Sequence, residues 1–219
     1  MAKDNEFVRL GNEFAIGRFI INFILSLFDG IFSVYFIGQF MPVFISSVKL
    51  IGMITEMAIY KMAKSQVFVA WLQGRYKLLA SANISITIVV AMVGESHPQI
   101  RWLVITIVNV LPLIAMKICD TDNIAHLVKG GEFTTFNAQI SASATFGRLV
   151  GTIGAIIVAA FIGNDIHDRG IITLCLFAEA IGLTVGSYFY VRANELARKL
   201  RGGIKAASVH DVIDDIMNG

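Results

Sequence analysis

Apolar residues run along this chain in long blocks, and the polar residues collect between them. An apolar helix needs roughly 20 residues to cross a bilayer. Six blocks come near or above that length: residues 14–37, 41–71, 78–93, 102–118, 133–162 and 171–191. The breaks fall on residues that punctuate helices, at Gly38 and Pro42, Gly74, 94–98, 120–122 and 163–170. The pattern predicts an all-α integral membrane bundle of six helices over 14–191. A polar segment, 1–13, precedes it, and a tail, 192–219, follows. The second block carries Lys49, Glu56, Lys61 and Lys64, as a soluble amphipathic helix could, but its flanks VFISSV and VFVAWL argue for lipid.

Composition sharpens this picture. Of 219 residues, 56% are hydrophobic and 16% charged, and mean hydropathy is +0.70. Soluble domains have about 25% charged residues, so a bilayer is the first expected partner. A net charge of +2 makes nucleic acid an unsuitable one. The first apolar block is too long for a cleaved signal peptide and reads as an uncleaved span. Cys119 and Cys175 form no metal-spaced cluster, and their spans put them near opposite faces.

Lysine and arginine set the orientation. Thirteen of them fall in the N-terminal segment, in or at the span ends beside the 2–3 and 4–5 connections, and in the tail, against two, Arg101 and Arg169, in the other loops. Both termini are therefore expected in the cytoplasm, with a bacterial inner membrane as the setting. In the tail, ANELARKLR continues as a charged helix to Gly202 and Gly203. Val209, Val212, Ile213 and Ile216 then recur opposite Asp211, Asp214 and Asp215, as a short amphipathic helix that either caps the bundle or meets a membrane or protein surface.

Ionisable groups inside a span are costly and point to function. On span one, Arg18, Asn22 and Asp29 fall within about 40° of one another. On span two, Lys49, Glu56, Tyr60 and Lys64 share about 80°. On span five, Asn137, Ser141, Thr145, Arg148 and Thr152 line one face. Asn109 and Pro112 on span four mark a kink with a polar wall. These residues either line an aqueous cavity, with Asp29, Glu56 and Arg148 central to solute or proton movement, or form a buried pair of Arg148 with Glu56 or Glu179. Small residues at Gly147, Gly151 and Gly154, and at Ala178, Gly182 and Gly186, permit close helix approach within the unit or against another subunit. His97, His126, His167 and His210 fall in predicted loops or the tail, without metal spacing.

Residues 51–79 end in Gly74, Arg75 and Lys77. This resembles the loop motif between spans two and three of the major facilitator superfamily, although Trp71, Leu72 and Gln73 stand where that motif carries Asp-Arg. Residues 119–163 are similar to the drug- and siderophore-exporter-like branch through Leu127 and Val128, Glu132, Asn137 and Ala138, Gly147 and Arg148, and Gly151. The resemblance extends over the chain and implies the N-terminal six-helix half of a twelve-helix transporter.

No phosphate-binding loop, zinc-protease or serine-hydrolase motif occurs, so neither an enzyme nor a bound cofactor or metal is expected. The resemblance implies a half-sized transporter that moves a small solute by alternating access, as a homodimer or with a second membrane subunit. The alternative is a non-transporting scaffold subunit of a larger membrane complex.

Overall fold

The computed structural model describes residues 2–37, 42–93, 110–127, 131–162, 169–202 and 209–218. Among these there is no strand. The helices are α1 (Ala2–Ile37), α2 (Pro42–Met62), α3 (Gln66–Gly74), α4 (Tyr76–Val93), α5 (Val110–Leu127), α6 (Gly131–Ile162), α7 (Arg169–Leu200) and α8 (Val209–Asn218). Three segments are long and apolar enough to cross a membrane, Glu6–Val34, Thr134–Ile162 and Gly170–Leu200, and Tyr76–Val90 is a shorter apolar helix. The described residues are all-helical, and these three helices mark a membrane protein.

Several boundaries differ from the sequence expectation, each for a physical reason. The block 41–71 is not one helix. It breaks at Ser65, whose Oγ accepts from the Phe68 N–H at 3.0 Å and caps α3. The expected break at 120–122 is absent, and α5 runs on to Leu127. Residues 2–13 are not a separate polar segment but the first turns of α1. Leu10 and Phe14 bury against Ile124, Ile140, Ala193 and Ala197, and this core holds the four helix ends together. At 36 residues, α1 is about 54 Å long and outruns a bilayer core of ~30 Å. The tail helix follows the same logic, with α7 unbroken to Leu200 and Gly202 at φ +80°, a left-handed turn that suits glycine.

α1 is the centre of the packing. It lies against α6 and α7, while α4 packs on α5 and α7, and α2 packs on α5. The start of α1, the end of α5, the start of α6 and the end of α7 meet in one core, and Lys77 at the start of α4 reaches Glu195 near the end of α7. The two ends of this helical array, α1 and α7, thus meet at one end of the bundle, called here the inner end. α8 packs on α3, where the Ser65 hydroxyl bonds the Asp215 carboxylate, so the tail helix caps the bundle.

Glycine sets the α1–α6 distance. A Cβ at Gly147 would lie 2.5 Å from the Phe19 carbonyl oxygen, and one at Gly151 would meet the Phe23 carbonyl oxygen. Gly182 and Gly186 of α7 face Ile24 and Ile21 of α1. All four glycines therefore serve contacts within this chain.

Candidate functional site

α6 carries three distinct faces. Ile140, Ala144, Gly147, Gly151 and Ala155 are buried, four or three residues apart. Phe146, Leu149, Ile153, Ile156, Ile157 and Phe161 are exposed and apolar, a surface suited to lipid. Between them runs the predicted stripe of Asn137, Ser141, Thr145, Arg148 and Thr152, also exposed. Arg148 joins it to α1: its Nε donates to Asn22 Oδ1 at 2.9 Å. Asn22 Nδ2 donates in turn to the Arg18 carbonyl at 2.7 Å. Arg148 is thus held by a neutral amide, and neither Glu56 nor Glu179 pairs with it among the described contacts. The buried ion pair considered from sequence does not form.

The other predicted residues spread along the bundle. Asp29 is exposed on α1, Glu56 is half-buried on α2, and Lys64 is exposed at the α2–α3 turn. Tyr60 on α2 meets Lys117 of α5, whose Nζ lies 5.8 Å from the ring centre. Asn109 lies outside the described residues. Arg18 points away from the stripe. It lies 5.8 Å from the Tyr190 ring centre and 3.9 Å from Asp120 Oδ2.

The predicted loop residues build a cationic groove at the inner end. Arg75 stacks over Trp71 with its guanidinium 4.5 Å from the ring centre. Lys77 Nζ pairs with Glu195 Oε1 of α7 at 2.5 Å. The counter-charge of Lys77 thus comes from α7. Gly74, Arg75, Lys77, Asn194, Glu195 and Arg198 are among the residues around a cavity of about 380 Å³.

Beside that groove lies a buried polar cluster that sequence reading missed. Gln73, only 1% exposed, is its hub. Its Nε2 donates to the Cys119 carbonyl at 2.7 Å and faces Asp122 Oδ2 at 3.4 Å. Its Oε1 accepts from Asn194 Nδ2 at 3.0 Å and Asn123 Nδ2 at 3.3 Å. Arg201 Nη1 closes the outer side, 2.8 Å from both Asp122 Oδ2 and Asn123 Oδ1. One helical turn along α3 and α4, the Tyr76 hydroxyl donates to Asp120 Oδ1 at 2.7 Å. Burial pushes the Asp120 carboxyl up to about 7, against the opposing pull of Arg18 and the Tyr76 hydrogen bond. His126, expected in a loop, stands on α5 with Nδ1 at 3.3 Å from Asp122 Oδ1.

Among the described residues no group of His, Cys, Asp and Glu is placed to hold a metal ion. Cys119 and Cys175 are free thiols. The signal for the missed cluster was present in the amide- and acid-rich string Cys119, Asp120, Thr121, Asp122, Asn123, which resembled a connection because its hydrogen-bond partners in the cluster lie 44 to 79 residues away. No protein-family model matches the chain, and neither a curated protein nor a solved structure is similar to it.

Proposed function

We propose that this chain is a six-helix half of a facilitator-type transporter, with a second copy completing a pathway for a small solute by alternating access. The observation that carries this reading is the exposed polar stripe of α6, with Arg148 held on Asn22. A guanidinium facing hydrocarbon costs about 2.5–3.5 kcal/mol or more. Water or a partner's polar surface removes that cost, whereas lipid does not. The helix pairing adds support. Exchanging the first three spans (α1, α2, α4) with the last three (α5, α6, α7) turns α1 on α6 into α5 on α2, and α1 on α7 into α5 on α4. Such three-helix repeats are nested in each half of facilitator transporters. On this reading all six helices cross a bacterial inner membrane, and the inner end is cytoplasmic, as its lysines and arginines favour.

The test is accessibility in the membrane. In a background without Cys119 and Cys175, cysteines at 137, 145 and 152 react with a membrane-impermeant maleimide in the reconstituted protein. Cysteines at 153 and 157 on the apolar face do not. A stripe as unreactive as the apolar face would discard the pathway.

A second reading, a scaffold subunit that transports nothing, draws on the dry, internally bonded inner end, which resembles a fixed joint. Native mass spectrometry from mild detergent separates the two. Two copies of this chain support the transporter, and foreign subunits support the scaffold.

A further inference from the structure

Three carboxylates among the described residues are buried: Glu13, Asp120 and Glu179. Glu13 has Arg192 at 2.8 Å, and Asp120 has Arg18 at 3.9 Å. Glu179, 3% exposed in the middle of the apolar segment Gly170–Leu200, has no cation beside it, and its Oε2 is buried without a hydrogen-bond partner. Its charged neighbour is another acid, Asp29 of α1. An ionised carboxylate buried in an apolar interior without a partner is far too costly to persist. The site therefore requires something positive.

Helix register places the two acids together. Gly186 faces Ile21 and Gly182 faces Ile24, so the antiparallel helices match one turn for one turn. One further turn brings Glu179 to the level of Phe28 and Asp29. Asp29 is exposed while Glu179 is buried, as are Phe28 of α1 and Leu176 and Leu183 of α7. Among the described residues, the surrounding helices bring no counter-charge. On α1 the nearest cation, Arg18, is eleven residues from Asp29, roughly 16 Å. On α4 the ionisable groups Tyr76 and Lys77 sit at the inner end, as do Lys117, Asp120, Asp122 and His126 on α5. Arg148 of α6 is engaged with Asn22, about 10 Å inward of Asp29 along α1. On α7 itself the neighbour is the Cys175 thiol, one turn away.

We propose that Glu179 and Asp29 form one proton-binding site between α7 and α1, in which Glu179 holds an exchangeable proton and Asp29 passes it to and from water. The step is uptake and release of H⁺ by a carboxylate, with no other bond made or broken. It rests on the transporter reading and identifies its coupling ion as the proton.

A hydrophobic carbodiimide tests this without any transport assay, because it modifies protonated carboxyls inside membranes. Peptide mass spectrometry of the full chain in vesicles, incubated with dicyclohexylcarbodiimide between pH 5.5 and 8.5, should find the adduct on Glu179 and its yield falling as pH rises. Glu179→Gln removes the adduct. Asp29→Asn, at an exposed position that tolerates substitution, slows modification at pH 7 several-fold, because the charge disfavouring ionised Glu179 is gone. Absence of the adduct, a yield indifferent to pH, or no effect of Asp29→Asn would each overturn the site. Protection by sodium at constant pH would overturn the proton and assign a metal cation instead. Modified Glu179 beside a stripe unreactive to maleimide would leave this site standing and remove the pathway.

Discussion

The inner end and the middle of the bundle both hold polar side chains among apolar helices, but they treat them differently. At the inner end, Gln73 bonds Cys119, Asn123 and Asn194, and Arg201 bonds Asp122 and Asn123, so the amides and acids satisfy one another inside one chain. In the middle, Arg148 has a single amide partner and an exposed guanidinium, and Glu179 has an orphan oxygen. In the first arrangement the Gln73 hub is satisfied within the chain, although Asp120 Oδ2 and Trp71 Nε1 close by are buried without a hydrogen-bond partner. The second is complete only with water, an ion or another polypeptide. Satisfied polar groups fix a fold, and unsatisfied ones in lipid mark where the molecule meets its work.

The strongest way to break this contrast is at the contact on which both regions depend. Gly151→Leu drives a side chain into the Phe23 carbonyl of α1. Overpacking of this kind typically costs 1–3 kcal/mol and more against backbone, so loss of monodisperse protein on gel filtration is expected. Next comes Gln73→Leu, which strips the hub and leaves the buried Nδ2 groups of Asn123 and Asn194 without their acceptor. A destabilisation of about 2–4 kcal/mol is expected, read as a lowered Tm in detergent. Equal stability with the wild type would mean that the cluster is wet and its bonds are replaceable.

Asp120 sharpens the comparison through pH. Its carboxyl titrates near 7 when folded, above the ordinary carboxylate value of 3.8. The folded state therefore binds more protons than the unfolded state between about 4 and 7. Stability contributed by this group is full below pH 4 and is lost as pH rises through 7. Thermal melts at pH 5.5 and 8 should differ in that direction, and Asp120→Asn should reduce the difference. An unchanged pH dependence in the variant would remove Asp120 as its source.

The smallest effects are expected on exposed groups. Arg148→Gln should leave Tm nearly unchanged, within about 0.5 kcal/mol, because its bond to Asn22 lies at the surface. A large loss would move Arg148 to the structural class and weaken the pathway. Lys77→Gln breaks a pair whose partners are both substantially exposed. Such pairs are worth about 0–1 kcal/mol and are screened by salt, so the variant should melt close to the wild type in 0.5 M salt.

Much of the helical architecture was legible because burial in lipid demands long apolar runs, and these survive in the sequence without any knowledge of partners. The stripe of Asn137 to Thr152 was legible for the same reason, since a helix repeats its faces every 3.6 residues. Its outward exposure and the Arg148–Asn22 bond followed only from packing. The break at Ser65 was hidden because one capping hydroxyl ends α2's run inside a continuous apolar block. The cluster around Gln73 was hidden by distance along the chain. A glutamine beside Gly74 reads as loop until Cys119, Asn123 and Asn194 are brought to it by two other helices. From sequence Glu179 was one of two candidate partners for Arg148, and only the register of α7 on α1 brings it to an acid instead.

The glycines at 147 and 151 have a mechanical consequence. With no side chain between them and the carbonyls of Phe19 and Phe23, α1 and α6 cannot slide or roll on each other without atoms colliding, so the two behave as a single stiff strut. α2, which leans on α5 and otherwise shows an apolar surface, has far more freedom. A change of shape among the described helices would move α1 and α6 together as one body.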